Sequence, residues 1–282
     1  MPARGGLDEV APVLQALLPE AEACGAEVVV VGGVGPGERA PRECVRLVAE
    51  PSADMCELHR RGVEEVRGEV VAIGEDHAVP RAGWCEAVLR AHAENGDAAA
   101  VVGCLVNATD ATVSGRANFL AFAAAWQPPM PELPADRPPP ASTLSFKREA
   151  LEAIASRPSG WLEARLIPTL FADGSMVADE RIVVDHHQDQ GSLWSIRNAL
   201  HSARSSYGFG WQQMSPARRR ELARWTIANV PRRLRAEARA GAGATRAGRL
   251  EWALIWLIAA AAGLGAAAGV LAGPGRSSER VA

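Results

Sequence analysis

Charge of one sign is what this sequence most lacks: 30 basic side chains face 33 acidic ones across 282 residues, a formal net charge of −3. Such balance excludes a protein that is basic throughout, as dedicated nucleic-acid binders often are. Aromatic residues are few, at 5%, but 48% of the residues are apolar, which excludes wholesale disorder and suffices for one or two cored domains. The cysteines, Cys24, Cys44, Cys56, Cys85 and Cys104, form no C-x-x-C pair, so neither a disulfide framework nor a cysteine zinc site is indicated and a reducing compartment fits. Lysine is nearly absent, with Lys147 alone among the basic residues, and no function follows from that bias. No internal repeat is present. Behind the first arginine there is no apolar stretch, so no secretory signal is expected and the bulk of the chain is placed in the cytoplasm.

One long apolar run does occur. Trp252 to Ala272 is 21 residues without a charge. As a helix rising about 1.5 Å per residue it reaches the roughly 30 Å of a bilayer's hydrocarbon layer, which makes it a transmembrane candidate. Ten arginines stand between Arg218 and Arg249 against Glu221 and Glu237, whereas only Arg276 and Arg280 follow the run. The positive-inside rule then keeps the chain before residue 250 in the cytoplasm. The arginine stretch lacks interleaved aromatics for base stacking and leads into an apolar span, so its expected partner is anionic lipid headgroups and no nucleic acid.

Apolar residues at Val10, Val13, Leu14, Leu17 and Leu18 recur at helical spacing, and a buried strand follows over residues 27–33. Further strands are predicted over 45–49, 69–74, 98–106 and 143–146, with a strand pair ending at His187. Helices are predicted over 55–66, 84–93, 148–154 and 161–171. From Leu193 on the chain reads as helical and basic. Uninterrupted apolar strands alternating with helices predict an α/β fold with a mainly parallel sheet covered on both faces. Seven prolines between Gln127 and Pro140 forbid a regular element and predict a surface loop.

The strand over 69–74 runs into Glu75-Asp76-His77, which places three polar side chains at the carboxyl edge of a sheet, where open α/β folds build their sites. On an extended strand end Glu75 and His77 point the same way and can share one cation, with Asp76 opposite. His59, His92 and His201 lie on predicted helices with no acid at useful spacing and read as surface or packing residues. The glycine-rich segment Val31 to Glu38 reads as a plain turn, because no helix opens after it.

Four segments together resemble the family 2 glycosyltransferases. They are Leu58-His59-Arg60-Arg61-Gly62, then Glu75-Asp76-His77 followed by Val79-Pro80-Arg81-Ala82-Gly83-Trp84, then Leu144 to Leu151, and Trp161 to Gly174. Val184-Asp185-His186 is similar to the V-x-H segment of that family, and the end of the chain, Gly265 to Gly275, to the tail of membrane-anchored bacterial members. The resemblance implies a GT-A domain over residues 1–210, a basic juxtamembrane segment over 211–250, a transmembrane helix over 251–273 and a tail over 274–282. It implies inverting transfer of a sugar from a nucleotide sugar to an acceptor hydroxyl on a glycan, a lipid-linked or a small-molecule acceptor, at the inner face of the cell membrane.

By that resemblance Glu163 is the catalytic base, Asp76 and Arg61 contact the nucleotide sugar, and Glu75, His77 and His186, with His187 as neighbour, hold a divalent cation. A histidine where the family carries its last metal-binding aspartate favours Mn2+ over Mg2+. The family's first strand ends in proline; here Met1-Pro2 stands as though at the end of that strand, which suggests an upstream start. The rival readings are a catalytically degenerate, membrane-bound binding or assembly module, and a nucleotidyltransferase, whose lysine-bearing glycine-rich loop is absent.

Overall fold

The computed structural model describes all residues except Pro36, Pro131, 135–137, Ala153, Asp189, 242–246 and Ala282. Pro131 of the proline loop and Arg246 of the arginine run therefore lie outside the described residues. Two compact units divide the chain. The first holds Met1–Val106 and Pro128–His186, the second Asn107–Gln127 and His187–Ala282.

In the first unit, strand β1 (Pro2–Ala3), helix α1 (Leu7–Cys24), and strands β2 (Val28–Gly32) and β3 (Val45–Ala49) come first. The three strands make a parallel sheet in the order β1-β2-β3, with Val28 opposite Val45. Five consecutive apolar or small residues make β2 a strand that must be covered on both faces, and its period of two sorts them. Val28 and Val30 pack with Val10, Leu14, Leu18 and Ala21 of α1. Val29 and Val31 pack with Leu58 of helix α2 (Met55–Glu65), which Asp54 caps by accepting from the backbone N–H groups of Cys56 and Glu57. The Met1 amine donates to the Val29 carbonyl.

The second sheet comprises β4 (Val70–Ala72), β5 (Ala78–Pro80), β6 (Ala100–Asn107), β7 (Leu144–Lys147) and β8 (Met176–His186), in the order β4-β7-β6-β8-β5. Helix α3 (Trp84–Glu94) covers it through Val88 and Ala91, against Val101 and Ile182. Here the expectation of a mainly parallel sheet is corrected. The β4–β7, β6–β7 and β5–β8 pairs all run antiparallel. Apolar runs report only that both faces are covered, and the long excursions before β7 and β8 allow either direction of return. The expected strand pair before His187 is likewise one strand of 11 residues, β8. Between β7 and β8 lie α5 (Arg148–Leu151), a π-helical turn over Leu162–Leu166 and α6 (Ile167–Ala172). A cavity of about 620 Å³ is lined by Val28 and Val29 on one side and Val70 to Gly74 on the other.

The second unit is helical: α4 (Val113–Phe122), α7 (Ser192–Gly208), α8 (Pro216–Gly241) and α9 (Arg249–Ala272). α9 is long and apolar enough to cross a membrane, and 67% of its most apolar window is buried among the other helices. Gly265 and Gly269 are what let α7 approach: a Cβ on Gly265 would lie 2.0 Å from the Leu200 carbonyl oxygen, and one on Gly269 2.4 Å from that of Arg204. The G-x-x-x-G pair thus serves helix packing within the chain. At the other end of α9, buried Glu251 accepts from the Arg116 guanidinium on α4 and from the Gly248 N–H.

Gly103 on β6 faces β8, and a Cβ there would lie 2.7 Å from the Ile182 carbonyl oxygen. Gly103→Val is expected to cost about 1–3 kcal/mol by overpacking. A thermal melt of the full chain reads this as a lowered Tm, with Gly96→Ala, which meets nothing within 4 Å, leaving the Tm unchanged.

Candidate cation site and buried carboxylate

The pairing of β5 with β8 places Ala78 opposite His186. His77 immediately precedes β5 and His186 ends β8, so their rings meet edge to face with centroids 4.8 Å apart. Arg81 reinforces the register: its backbone N–H donates to the Val183 carbonyl, and its guanidinium grips one oxygen of Asp185 at 2.7 and 2.9 Å. Asp185 stands opposite Val79, one step from His186.

Glu75, Asp76 and His77 form a turn between β4 and β5, which corrects the expectation of an extended strand end. The turn brings the His77 Nε2 to 3.3 Å from Glu75 and its Nδ1 to 2.5 Å from Asp76. Asp76 therefore does not point away but takes the far side of the His77 ring. Buried His186 closes the group, so that one ligand atom from each of Glu75, His77 and His186 lies within 4.8 Å of the others. Bonds of roughly 2.1 Å separate opposite ligands on one ion by about 4.2 Å, so the group fits a cation after a shift of about half an ångström. His187 is exposed and stands outside the group.

The electrostatics suit a positive guest. Burial works against charge on His77, but the hydrogen bond to Asp76 and the charges of Glu75, Asp76 and Glu9 outweigh it and raise its pKa. Burial raises Asp76, and the hydrogen bond and charge of His77 more than reverse this, holding it low. The surrounding carboxylates thus favour positive charge at this point of the fold. Glu9, in the first turn of α1, was not singled out in the sequence; nothing but the fold brings it toward His77.

The remaining expected residues sit as follows. Arg61 is engaged by its own helix, at 3.3 Å from Glu64 and 2.5 Å from Glu65. Glu163 lies on the π-helical turn, and its Oε1 is 2.7 Å from the Nδ1 of His59 on α2. His59 is buried, which corrects its reading as a residue without an acid partner: the acid is 104 positions away in sequence. His92 is buried against the Ser145 hydroxyl at 2.9 Å, and His201 meets that of Ser277 at 3.2 Å.

No family model matches the chain, and no curated protein matches it. Its fold is one that a glycosyltransferase carries. The chain is similar to the mannosyltransferase PcManGT from Pyrobaculum calidifontis, solved in complex with GDP-mannose and Mn2+. The TM-score is 0.56 at 18% identity, covering 96% of this chain and 85% of that one.

Proposed function

We propose that the protein is a glycosyltransferase of the GT-A type that takes a nucleotide-sugar donor and a divalent cation. The observation that carries this is the convergence of Glu75, His77 and His186 beside the β5–β8 pair, in a fold similar to that of a transferase solved with GDP-mannose and Mn2+. One carboxylate oxygen and two imidazole nitrogens suit Mn2+ better than Mg2+. Held by these three residues, the cation would supply a Lewis acid for the departing diphosphate. Asp76, by fixing the Nδ1 of His77, directs the Nε2 toward Glu75 and the guest.

Glu163 acts as the base that takes the proton of the acceptor hydroxyl as it attacks, giving inversion at the sugar carbon. Donor contacts through Asp76 and Arg61 require these residues to share or release their present partners, His77, Glu64 and Glu65.

The second unit attaches the protein to the inner face of a membrane. Trp256, Leu257, Leu264 and Leu271 of α9 are each about half exposed, and three of them, Leu257, Leu264 and Leu271, fall on one stripe with Ala253 and Ala260. α8 exposes Arg218, Arg220, Arg224, Arg232 and Arg239, suited to anionic headgroups. Carrying such arginines to the bilayer centre costs about 2.5–3.5 kcal/mol each. Packed as it is, α9 therefore meets the interface, and it spans only by leaving α8.

Titration of Mn2+ into the full chain is expected to show one site that His77→Ala and His186→Ala each weaken at least tenfold and His187→Ala leaves intact. A panel of nucleotide sugars with Mn2+, GDP-mannose among them, is expected to show turnover that Glu163→Gln abolishes while donor binding persists. Should Glu163→Gln keep most of the activity, another group is the base. In cell fractionation the chain is expected with the membranes. Release by alkaline carbonate marks interfacial attachment and retention a span, and recovery of the intact chain in the cytosol would contradict both.

A further inference from the structure

Sequence and fold together give Glu163 an unusual setting. A helix that began at Trp161 would pair the Ala164 carbonyl with the backbone N–H of residue 168, but that residue is proline and has none. The backbone instead widens to a π turn, in which Ile167 N–H reaches the Leu162 carbonyl. One extra residue per turn re-aims the side chains of the segment, a device often found at functional sites. Glu163 is thereby turned toward α2.

On α2 the buried face consists of Leu58, His59, Gly62 and Val63, at the i, i+4 spacing of one side of a helix. His59 meets Glu163 there at 2.7 Å. The Cys56 thiol, one turn earlier, also bonds Glu163, and burial, the Glu163 charge and then that of Asp54 push its pKa well up, so it remains a neutral donor. Two polar atoms of the pair are buried without a partner among the described residues, the Glu163 Oε2 and the His59 Nε2. An unpartnered carboxylate oxygen in such a place is costly and calls for a reason.

We propose that His59 is the positioning residue of the base: its Nδ1–H holds the Glu163 Oε1 and leaves Oε2, covered in the free chain though a quarter of the side chain is exposed, as the atom that a bound acceptor must uncover to pass on its proton. The inference rests on the reading of Glu163 as base. The proton of the acceptor O–H passes to Oε2, the acceptor oxygen bonds the anomeric carbon, and the carbon–oxygen bond to the diphosphate breaks with its electron pair on the phosphate. His59 loses no proton in this step. Its part is to keep the carboxylate from rotating, because a misplacement of about 1 Å costs on the order of a hundredfold in rate. Cys56 supports the same carboxylate from one turn away.

Two measurements on the full-length chain test this. Long-range 1H–15N spectra, with the His59 signals assigned by their loss in His59→Asn, are expected to show the Nδ1-protonated tautomer. The Nε2-protonated tautomer would overturn the proposal whether or not a donor sugar has been found. In transfer kinetics His59→Ala is expected to lower kcat about 10- to 100-fold with donor KM within about twofold. His59→Asn, whose amide places an N–H near the position of Nδ1, is expected to restore kcat to within about threefold of wild type. Unchanged kcat in His59→Ala overturns the proposal, as does a folded His59→Asn no better than the alanine variant. Activity retained in Glu163→Gln would instead remove the base reading itself, which the histidine variants by themselves do not test.

Discussion

The antiparallel pairing of β5 with β8 is the constraint on which the candidate site depends. β5 is only three residues long, yet its register against β8 decides that His77 and His186 stand side by side. A slip of one residue would send alternate side chains to the opposite face and separate the rings. The exposed Arg81–Asp185 pair is worth little as a salt bridge, about 0–1 kcal/mol, but its two bonds fall on the strand positions that hold this register. Position, more than strength, is what it contributes.

From that register the electrostatics follow. Bringing Asp76, Glu75 and Glu9 toward one imidazole concentrates negative charge at the end of a short turn and raises the pKa of His77. A divalent cation held there would offer the same group a larger compensating charge, and its binding would be coupled to deprotonation of the imidazole. Glu163 belongs to a different arrangement, in which a π turn forced by Pro168 aims a carboxylate at a buried histidine. In the proposed function the two clusters divide the work between a leaving-group site and a proton-accepting site.

Much of this was legible in the residues. The uninterrupted apolar run of β2, the helical stripe of α1 and the extent of β3 are local patterns, and the structure follows them within a few positions. Glu75 and His77 could be picked out because they follow an apolar strand, and His186 through the resemblance of Val184-Asp185-His186 to a family segment. Long-range geometry was not legible. The direction of β7 and β8 depends on how long loops return, which apolar runs do not encode. β5 was missed because Ala78-Val79-Pro80 is too short to show a period, and its pairing is what turns Glu75-Asp76-His77 back on itself. His59 read as a packing residue because its acid lies more than a hundred positions away, and that α7 is the helix which Gly265 and Gly269 admit is not written in the apolar run of α9.

One divalent cation is proposed to be shared by Glu75 and His77 on the turn before β5 and by His186 at the end of β8. Electron spin echo modulation of Mn2+ bound to the full-length chain addresses it directly, because imidazole nitrogens coupled to the ion are resolved individually. Modulation from two coupled imidazoles is expected, reduced to one in either His77→Ala or His186→Ala. Bound Mn2+ without nitrogen modulation, or with modulation that both variants leave unchanged, would contradict it.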